Sequence, residues 1–352
     1  MFIVQILCTF APSFFKSKVP MRSPLIFLLS LTFLLISCHQ DKRQQIAGTC
    51  FGTMYHITYL GDEDKNLPAR VDSLLAELNS TFSIFDTASL ISHVNAGKSS
   101  IVNADFEHVL RCATEVARHT GGAFDFTVQP LVELWGFGRN KEPRQVALEQ
   151  LDSVRQFVNY KLVALHDSVL VRVDPRTQLN FNAIAKGYAV DKMAQFLLQQ
   201  GYDNFIVEIG GEVVCHGTKD GKPGGKSWVV GIQVPTATKD GAVESSVRLE
   251  PGKRAVATSG NYRNYFEKEG KRYTHILDPR TGTPEETNLL SVTVLAPDCM
   301  TADAYATAFM VLGVERSMEL LSQHPELDAY FIYDEKGEYQ TMFTDFFASE
   351  QN

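Results

Sequence analysis

Several residues in this chain have the types and spacing for chemistry. Asp303 and Thr307 stand four apart in Ala302-Asp303-Ala304-Tyr305-Ala306-Thr307-Ala308, so a helix there carries both on one side. A carboxylate and a hydroxyl are hard oxygen donors of the kind Mg²⁺ takes. Spacing alone equally allows a helix cap or a buried hydrogen-bonded pair, and those structural uses are the commoner ones. A second set is the run from Gly121 to Gly138, Gly-Gly-Ala-Phe-Asp-Phe-Thr-Val-Gln-Pro-Leu-Val-Glu-Leu-Trp-Gly-Phe-Gly. Its paired glycines allow close backbone approach to a ligand. Phe124, Trp135 and Phe137 offer flat apolar faces, and Asp125 adds an acceptor. Such a set suits a planar heterocycle with polar edges; its plainer use is a tight turn before an aromatic core strand. His275 precedes Asp278-Pro279-Arg280-Thr281-Gly282, a turn by its chemistry. An imidazole is well suited to taking a hydroxyl proton near neutral pH, although a lone His before a turn is usually structural. Lys186 could meet a phosphate or a cofactor edge, or be a solvated lysine at a helix start. Gly210-Gly211 and Ser259-Gly260 read as close-approach loops or as plain turns.

The elements that must position these residues are legible in outline. Helical spacing of apolar residues predicts helices over 66–82, 105–120, 142–157, 186–200, 302–312 and 315–323. Strands are predicted over 52–59, 169–173, 205–209, 228–234, 255–258, 291–295 and 329–333, with a turn at 334–337 and a polar loop over 236–244. Strands and helices mix without strict βαβ alternation, so the fold class is α+β: one compact body of mixed sheets with packed helices.

The chain has 352 residues and a formal charge of -8. Residues 1–37 carry Lys16, Lys18 and Arg22 and no acid, so the remainder is more acidic still. That balance excludes a nucleic-acid partner, because such binding depends on neutralising phosphates with Lys and Arg. A phosphate-bearing ligand would need a metal or a helix N-terminus to offset the charge. Met21-Arg22-Ser23-Pro24, the apolar run 25–36 and Ser37-Cys38 describe a secretory signal whose true start is Met21. The run is too short to span a bilayer core as a helix. A polar tether is expected over 38–50. Cys50, Cys112, Cys215 and Cys299 show no metal-ligand spacing, and their pairing is not readable from sequence.

The order of residues adds a family likeness. Gly121–Gly138 resembles the corresponding stretch of the ApbE family, the FAD-dependent FMN transferases. So do Phe51-Gly52-Thr53, Ala183–Asp191, Thr258–Tyr262, Thr274–Gly282 and Ala302–Ala308, in the family's order, across nearly everything after residue 50. Leu35-Ile36-Ser37-Cys38 likewise resembles a bacterial lipobox with Cys38 as the lipidated first residue of the mature protein.

The resemblance implies an ApbE-like domain over 51–352 with FAD as substrate and Mg²⁺ as cofactor. Asp303, Thr307 and the backbone oxygen of Ala183 would hold the metal, and His275 would be the general base. Phe51, Phe85, Ala123, Phe124, Asp125, Asn180, Lys186 and Leu277 would contact the flavin nucleotide. Phe51 stands where Met is common, Asn180 where Asp is frequent, and Asn182 replaces a small residue. The implied reaction passes FMN to a Ser or Thr hydroxyl of a separate acceptor, within a Ser/Thr-Gly-Ala-Ser/Thr motif that this chain lacks. The implied setting is outside the cytoplasm of a bacterium, lipid-anchored to a membrane. Two rivals share these residues: a Mg²⁺-dependent FAD pyrophosphatase, and an FAD-binding lipoprotein without chemistry, for which a base would serve no purpose.

Overall fold

The computed structural model describes residues 42–139, 146–233, 243–249, 255–261, 265–268, 271–274, 276–285 and 287–350. Cys38, the expected signal segment and His275 lie outside the described residues. In chain order the elements begin with strands β1 (Arg43–Cys50) and β2 (Thr53–Leu60), then helices α1 (Leu67–Phe82), α2 (Leu90–Asn95), α3 (Ala104–His119), α4 (Gln129–Leu134) and α5 (Leu148–Arg155). A small hairpin of β3 (Val163–His166) and β4 (Val169–Arg172) precedes α6 (Ala185–Gln199). Next come β5 (Phe205–Ile209), β6 (Glu212–His216), β7 (Trp228–Gln233), β8 (Val243–Leu249) and β9 (Ala255–Gly260). The chain continues through β10 (Tyr265–Lys268), β11 (Lys271–Thr274), β12 (Leu289–Ala296), α7 (Cys299–Leu321), β13 (Asp328–Glu335), β14 (Glu338–Phe343) and α8 (Asp345–Glu350).

Eight strands form one sheet in the order β1-β2-β5-β6-β9-β12-β13-β14, and every neighbouring pair is antiparallel. Both faces of its centre are covered, which is why these strands read as almost continuous apolar runs. On one face Ala255, Ala257, Val294, Ala296 and Phe331 pack in the cluster that includes α6 and α7. On the other, Val213, Val256, Leu295 and Ile332 meet Trp228 and Val247 of the β7–β8 ribbon and Phe347 of α8. The α+β expectation holds.

The pairing of α6 with α7 depends on Gly187. A Cβ there would overlap the Cys299 carbonyl oxygen and fall 2.8 Å from Asp303 Cβ. One turn later on α6, Asp191 accepts hydrogen bonds from the backbone N–H groups of Cys299 (2.9 Å) and Met300 (2.8 Å). Asp298 caps the same helix by accepting from Thr301 N–H at 2.8 Å. Two carboxylates thus satisfy orphan donors at the positive end of α7 and fix its register on α6. Gly313 (φ 73°) breaks α7, which accounts for the separate helical patterns on either side of it.

Four expectations need correction. The tether does not reach residue 50: Arg43–Cys50 is a fully registered edge strand. Only Ile46 of it is buried, so an edge strand resembles a polar linker in sequence. The run after Gly121 continues into α4, with Pro130 in its first turn, rather than into a core strand. The helix expected over 142–157 is shorter, Leu148–Arg155, with 140–145 outside the described residues. Of the loop expected over 236–244, Val243 and Glu244 belong to β8, and 236–242 lie outside the described residues.

Gly187→Ala should lower stability by about 1–3 kcal/mol, the usual range for overpacking, visible as a lower Tm by calorimetry. An unchanged Tm would mean that α6 and α7 separate at no cost.

Candidate active site

The site begins at two tight hairpin ends. Between β1 and β2 the chain turns at Phe51 and Gly52, both with positive φ (50° and 75°). A phenylalanine in that region is strained, and the paired register Cys50↔Thr53 holds it there. Between β5 and β6 the turn is Gly210-Gly211, also at positive φ, with Ile209 opposite Glu212. Gly210 N–H donates to the Met54 carbonyl at 3.1 Å, which locks the two turns together.

These turns form one side of a cleft of about 1000 Å³. Phe51, Ala123, Phe124, Asp125, Asn180 and Leu277 line it. Ala183, Lys186, Asp303 and Thr307 line it as well, as do Gly210-Gly211 and Ser259-Gly260. Phe85 does not: it is 53% exposed, on the loop before α2. Phe137 lines the cleft, whereas Trp135 packs with Leu131 and Leu151 and donates from its indole N–H to the Gly282 carbonyl at 2.7 Å. His275 lies outside the described residues; the next residue, Ile276, lines the cleft.

The residues expected to contact the flavin are held by internal bonds. Asp125 accepts from Thr127 N–H (2.8 Å) and Thr127 Oγ1 (2.6 Å) on one oxygen, and from Tyr160 N–H (2.8 Å) on the other. Burial raises its carboxyl against the pull of those bonds. Asn180 Nδ2 donates to Gln129 Oε1 at 2.7 Å, and its Oδ1 accepts from Asn182 N–H at 2.8 Å. An amide does both at once, which a carboxylate could not, so Asn182 fits the local turn through its backbone. Phe181, fully buried, stacks edge-on against Phe106 (5.1 Å between centroids) and Phe82 (6.0 Å). Such pairs add about 0.5–1.5 kcal/mol each beyond burial and anchor the loop that carries Asn180 and Ala183.

Charge concentrates where α6, β6 and α7 meet. Asp303 and Thr307 lie one turn apart on α7, with Asp303 2% exposed. Asp303 Oδ2 accepts from Gly187 N–H at 3.0 Å. Gly187 lies in the first turn of α6, where N–H groups have no intrahelical acceptor, so Asp303 serves as their cap, and Ala183, just ahead of the Ile184 N-cap, keeps its carbonyl outside the α6 ladder. Thr307 Oγ1 lies 3.3 Å from Ser259 Oγ. Lys186 Nζ is 2.6 Å from Glu212 Oε1 and 3.9 Å from Asp303 Oδ1. Glu212 is 1% exposed, and its Oε2 is buried with no hydrogen-bond partner.

Two buried carboxylates facing one ammonium leave an excess negative charge. Burial raises Asp303, with Lys186 and the Gly187 N–H pulling the other way. Burial raises Glu212 too, against the opposing pull of Lys186. For Lys186, burial acts downward, and the Asp303 and Glu212 charges outweigh it to raise the ammonium. Hard oxygen donors and two buried carboxylates facing one ammonium fit a divalent cation beside Asp303, Thr307 and the Ala183 carbonyl. Among the described residues no group of three or more His, Cys, Asp or Glu side chains is arranged to hold a metal. A cation here therefore leans on few protein ligands, the manner of Mg²⁺ beside phosphates.

Sequence reasoning missed Glu212. Its signal is an acid directly after Gly210-Gly211, heading an otherwise apolar strand. Cys50, Cys112, Cys215 and Cys299 are free thiols.

The comparisons agree with this geometry. The model of the ApbE family matches residues 51–331. A Vibrio cholerae relative named FAD:protein FMN transferase is 39% identical over 308 residues, covering 85% of this chain and 90% of that protein. One of the same name from Haemophilus influenzae is 34% identical over 323 residues, covering 87% and 91%. Among solved structures, the flavin transferase ApbE from Vibrio cholerae superposes with a TM-score of 0.76 at 34% identity, covering 88% of this chain and 100% of that one. The apo form of the Pseudomonas stutzeri flavinyl transferase ApbE superposes at 0.79 and 31%, covering 90% and 98%. A family model, relatives of matching length and a shared fold converge on the same body, and the chain belongs to the ApbE family.

Proposed function

We propose that this protein transfers FMN from FAD to a Ser or Thr hydroxyl of a separate acceptor protein, with Mg²⁺ as cofactor, and releases AMP. The observation that carries the metal part is the buried, acid-rich corner at Asp303, opening directly onto a cleft lined by Phe51 and Phe124. The named activity of the relatives supports the transfer reaction. The cleft is at the upper end of the usual size for small-molecule sites, as a dinucleotide requires.

Phe51 and Phe124 present apolar faces to the flavin ring, and Leu277 adds a third. The Ala123 backbone and the Asn180 side chain line the same cleft and would meet the polar edges of the ring. Lys186, which lines the cleft, offers positive charge to a phosphate oxygen. Asp303, Thr307 and the Ala183 carbonyl would hold Mg²⁺, which supplies charge to the pyrophosphate and its leaving oxygen. In the reaction the acceptor oxygen bonds to the FMN-side phosphorus. The bond from that phosphorus to the bridging oxygen breaks, and AMP departs with the oxygen. His275 takes the hydroxyl proton. Such chemistry rests on positioning and charge rather than on covalent help from the protein.

The acceptor is expected to carry a Ser/Thr-Gly-Ala-Ser/Thr motif, as in membrane redox pumps or extracytoplasmic flavoproteins. The signal-like amino end and its lipobox-like Cys38 support a setting outside the cytoplasm of a bacterium, with lipid on Cys38 as the membrane anchor. No helix among the described residues is long and apolar enough to cross a membrane.

Purified protein mixed with FAD, Mg²⁺ and an acceptor domain should give FMN-modified acceptor by mass spectrometry and AMP in equal amount. AMP without the adduct would make the protein a pyrophosphatase, and neither product would make it a binder. Asp303→Ala should abolish both products, and Thr307→Ala should recover part of the rate at high Mg²⁺. A wild-type Mg²⁺ curve for Asp303→Ala would place the metal elsewhere.

His275→Ala should keep FAD affinity while slowing transfer roughly 10²–10⁴-fold, the usual range for a lost general base. A near-normal rate would leave His275 a structural residue.

Cys38→Ala should move the protein from the membrane fraction to the soluble one. Retention after high-salt washing would rule out a lipid anchor at Cys38.

A further inference from the structure

Lys186 faces two carboxylates and is shared unequally between them. Its ammonium lies 2.6 Å from Glu212 Oε1 but 3.9 Å from Asp303 Oδ1. Both acids are fixed from behind. Glu212 follows the Gly210-Gly211 turn and is paired in register with Ile209. Asp303 is held on α7, with Oδ2 bound to Gly187 N–H at 3.0 Å. The lysine alone has a long flexible stem, so its resting place is decided by which carboxylate holds it harder.

Glu212 is a costly residue for the fold. It is 1% exposed, and its Oε2 is buried without a partner. A buried acceptor left unpaired is a net penalty, and well-packed apolar residues commonly replace buried ion pairs without loss of stability. Stability therefore does not account for a glutamate here. Among the described residues, the side chain it pairs with is Lys186, through the ammonium. We propose that Glu212 is a positioning residue: it holds the Lys186 ammonium away from Asp303, so that Asp303 Oδ1 stays open to a divalent cation. This inference rests on the metal reading given above. Without the Glu212 charge, Asp303 is the nearest remaining carboxylate in this corner. Lys186 would swing toward it, and an ion pair there would compete with the metal for the same oxygen.

The test is a double-mutant cycle read by Mn²⁺ binding rather than by turnover. The full chain is titrated with Mn²⁺ at a fixed saturating concentration of FAD, against an FAD-only control, and free Mn²⁺ is followed by its EPR signal. Glu212→Gln should weaken Mn²⁺ binding by about 10–100-fold, the range for partners that orient metal ligands. In a Lys186→Met background the same Glu212→Gln change should have no effect, because the competitor is gone. Equal losses in both backgrounds would mean that Glu212 acts through its own charge. No loss in either would mean that Lys186 never competes. Either result overturns the inference while leaving the metal reading intact. A wild-type protein that binds no Mn²⁺ beyond the FAD control would remove the metal reading itself. Should Glu212→Gln fail to fold, Glu212→Asp keeps the charge but withdraws it from Lys186. It should show the same loss, and wild-type binding in that variant would count against the inference.

Discussion

Burying the Asp303 carboxylate is the constraint around which this protein is arranged. A carboxylate that is 2% exposed must be compensated, and the compensation comes from two separate parts of the chain. Gly187, at the start of α6, lends a backbone N–H. Lys186, one residue earlier, lends charge. Glu212, at the tip of the β5–β6 hairpin, holds that charge at a set distance. None of these works unless α6 lies hard against α7, and Gly187 permits that approach because no Cβ intervenes. Asp191 then fixes the sliding register by capping α7 with its carboxylate. The helix pair, the hairpin tip and the charged corner are therefore one device rather than three.

The same device explains why the cleft sits where it does. The covered centre of the sheet supplies rigidity, with apolar packing on both faces, while its hairpin ends at Phe51-Gly52 and Gly210-Gly211 are the parts free to approach a ligand. Asp125 and Asn180, proposed to meet the flavin, are fixed in advance by bonds within the protein, and Phe181 packs the loop that carries Asn180 into the core. A site prepared in this way needs little ordering when a large ligand enters. The net negative charge of the corner is tolerable only beside a cation, which connects the fold's least comfortable residues to the proposed chemistry.

Much of this was legible in the sequence, for physical reasons that differ by element. Helices α1, α3 and α6 are amphipathic with clear ends, so their spacing read directly. Asp303 and Thr307 shared a helical face whatever their role. Strand β6 escaped notice because it is short and follows closely on β5, and with it went Glu212, whose importance arises only when the sheet brings it to Lys186. Strand β1 escaped because an exposed edge has no apolar face to show. Phe85 was expected at the flavin by resemblance, yet it stands exposed beside the cleft, since its direction depends on the hydrogen-bonded loop around Ser83, Ser89 and Ser92. Asn180, a departure from the family's usual residue, is explained by the two-way hydrogen bonding that only an amide provides.

The central claim is that a divalent cation belongs at the Asp303 corner and not at the Lys186–Glu212 pair. The most direct measurement is anomalous X-ray scattering from crystals grown with FAD and Mn²⁺, which locates the metal without reference to rate. The account predicts a single strong peak within coordination distance of Asp303 Oδ1, Thr307 Oγ1 and the Ala183 carbonyl oxygen, with Lys186 still bound to Glu212. A peak at Glu212 with Lys186 displaced, or metal on the FAD phosphates with no contact to Asp303, would contradict it.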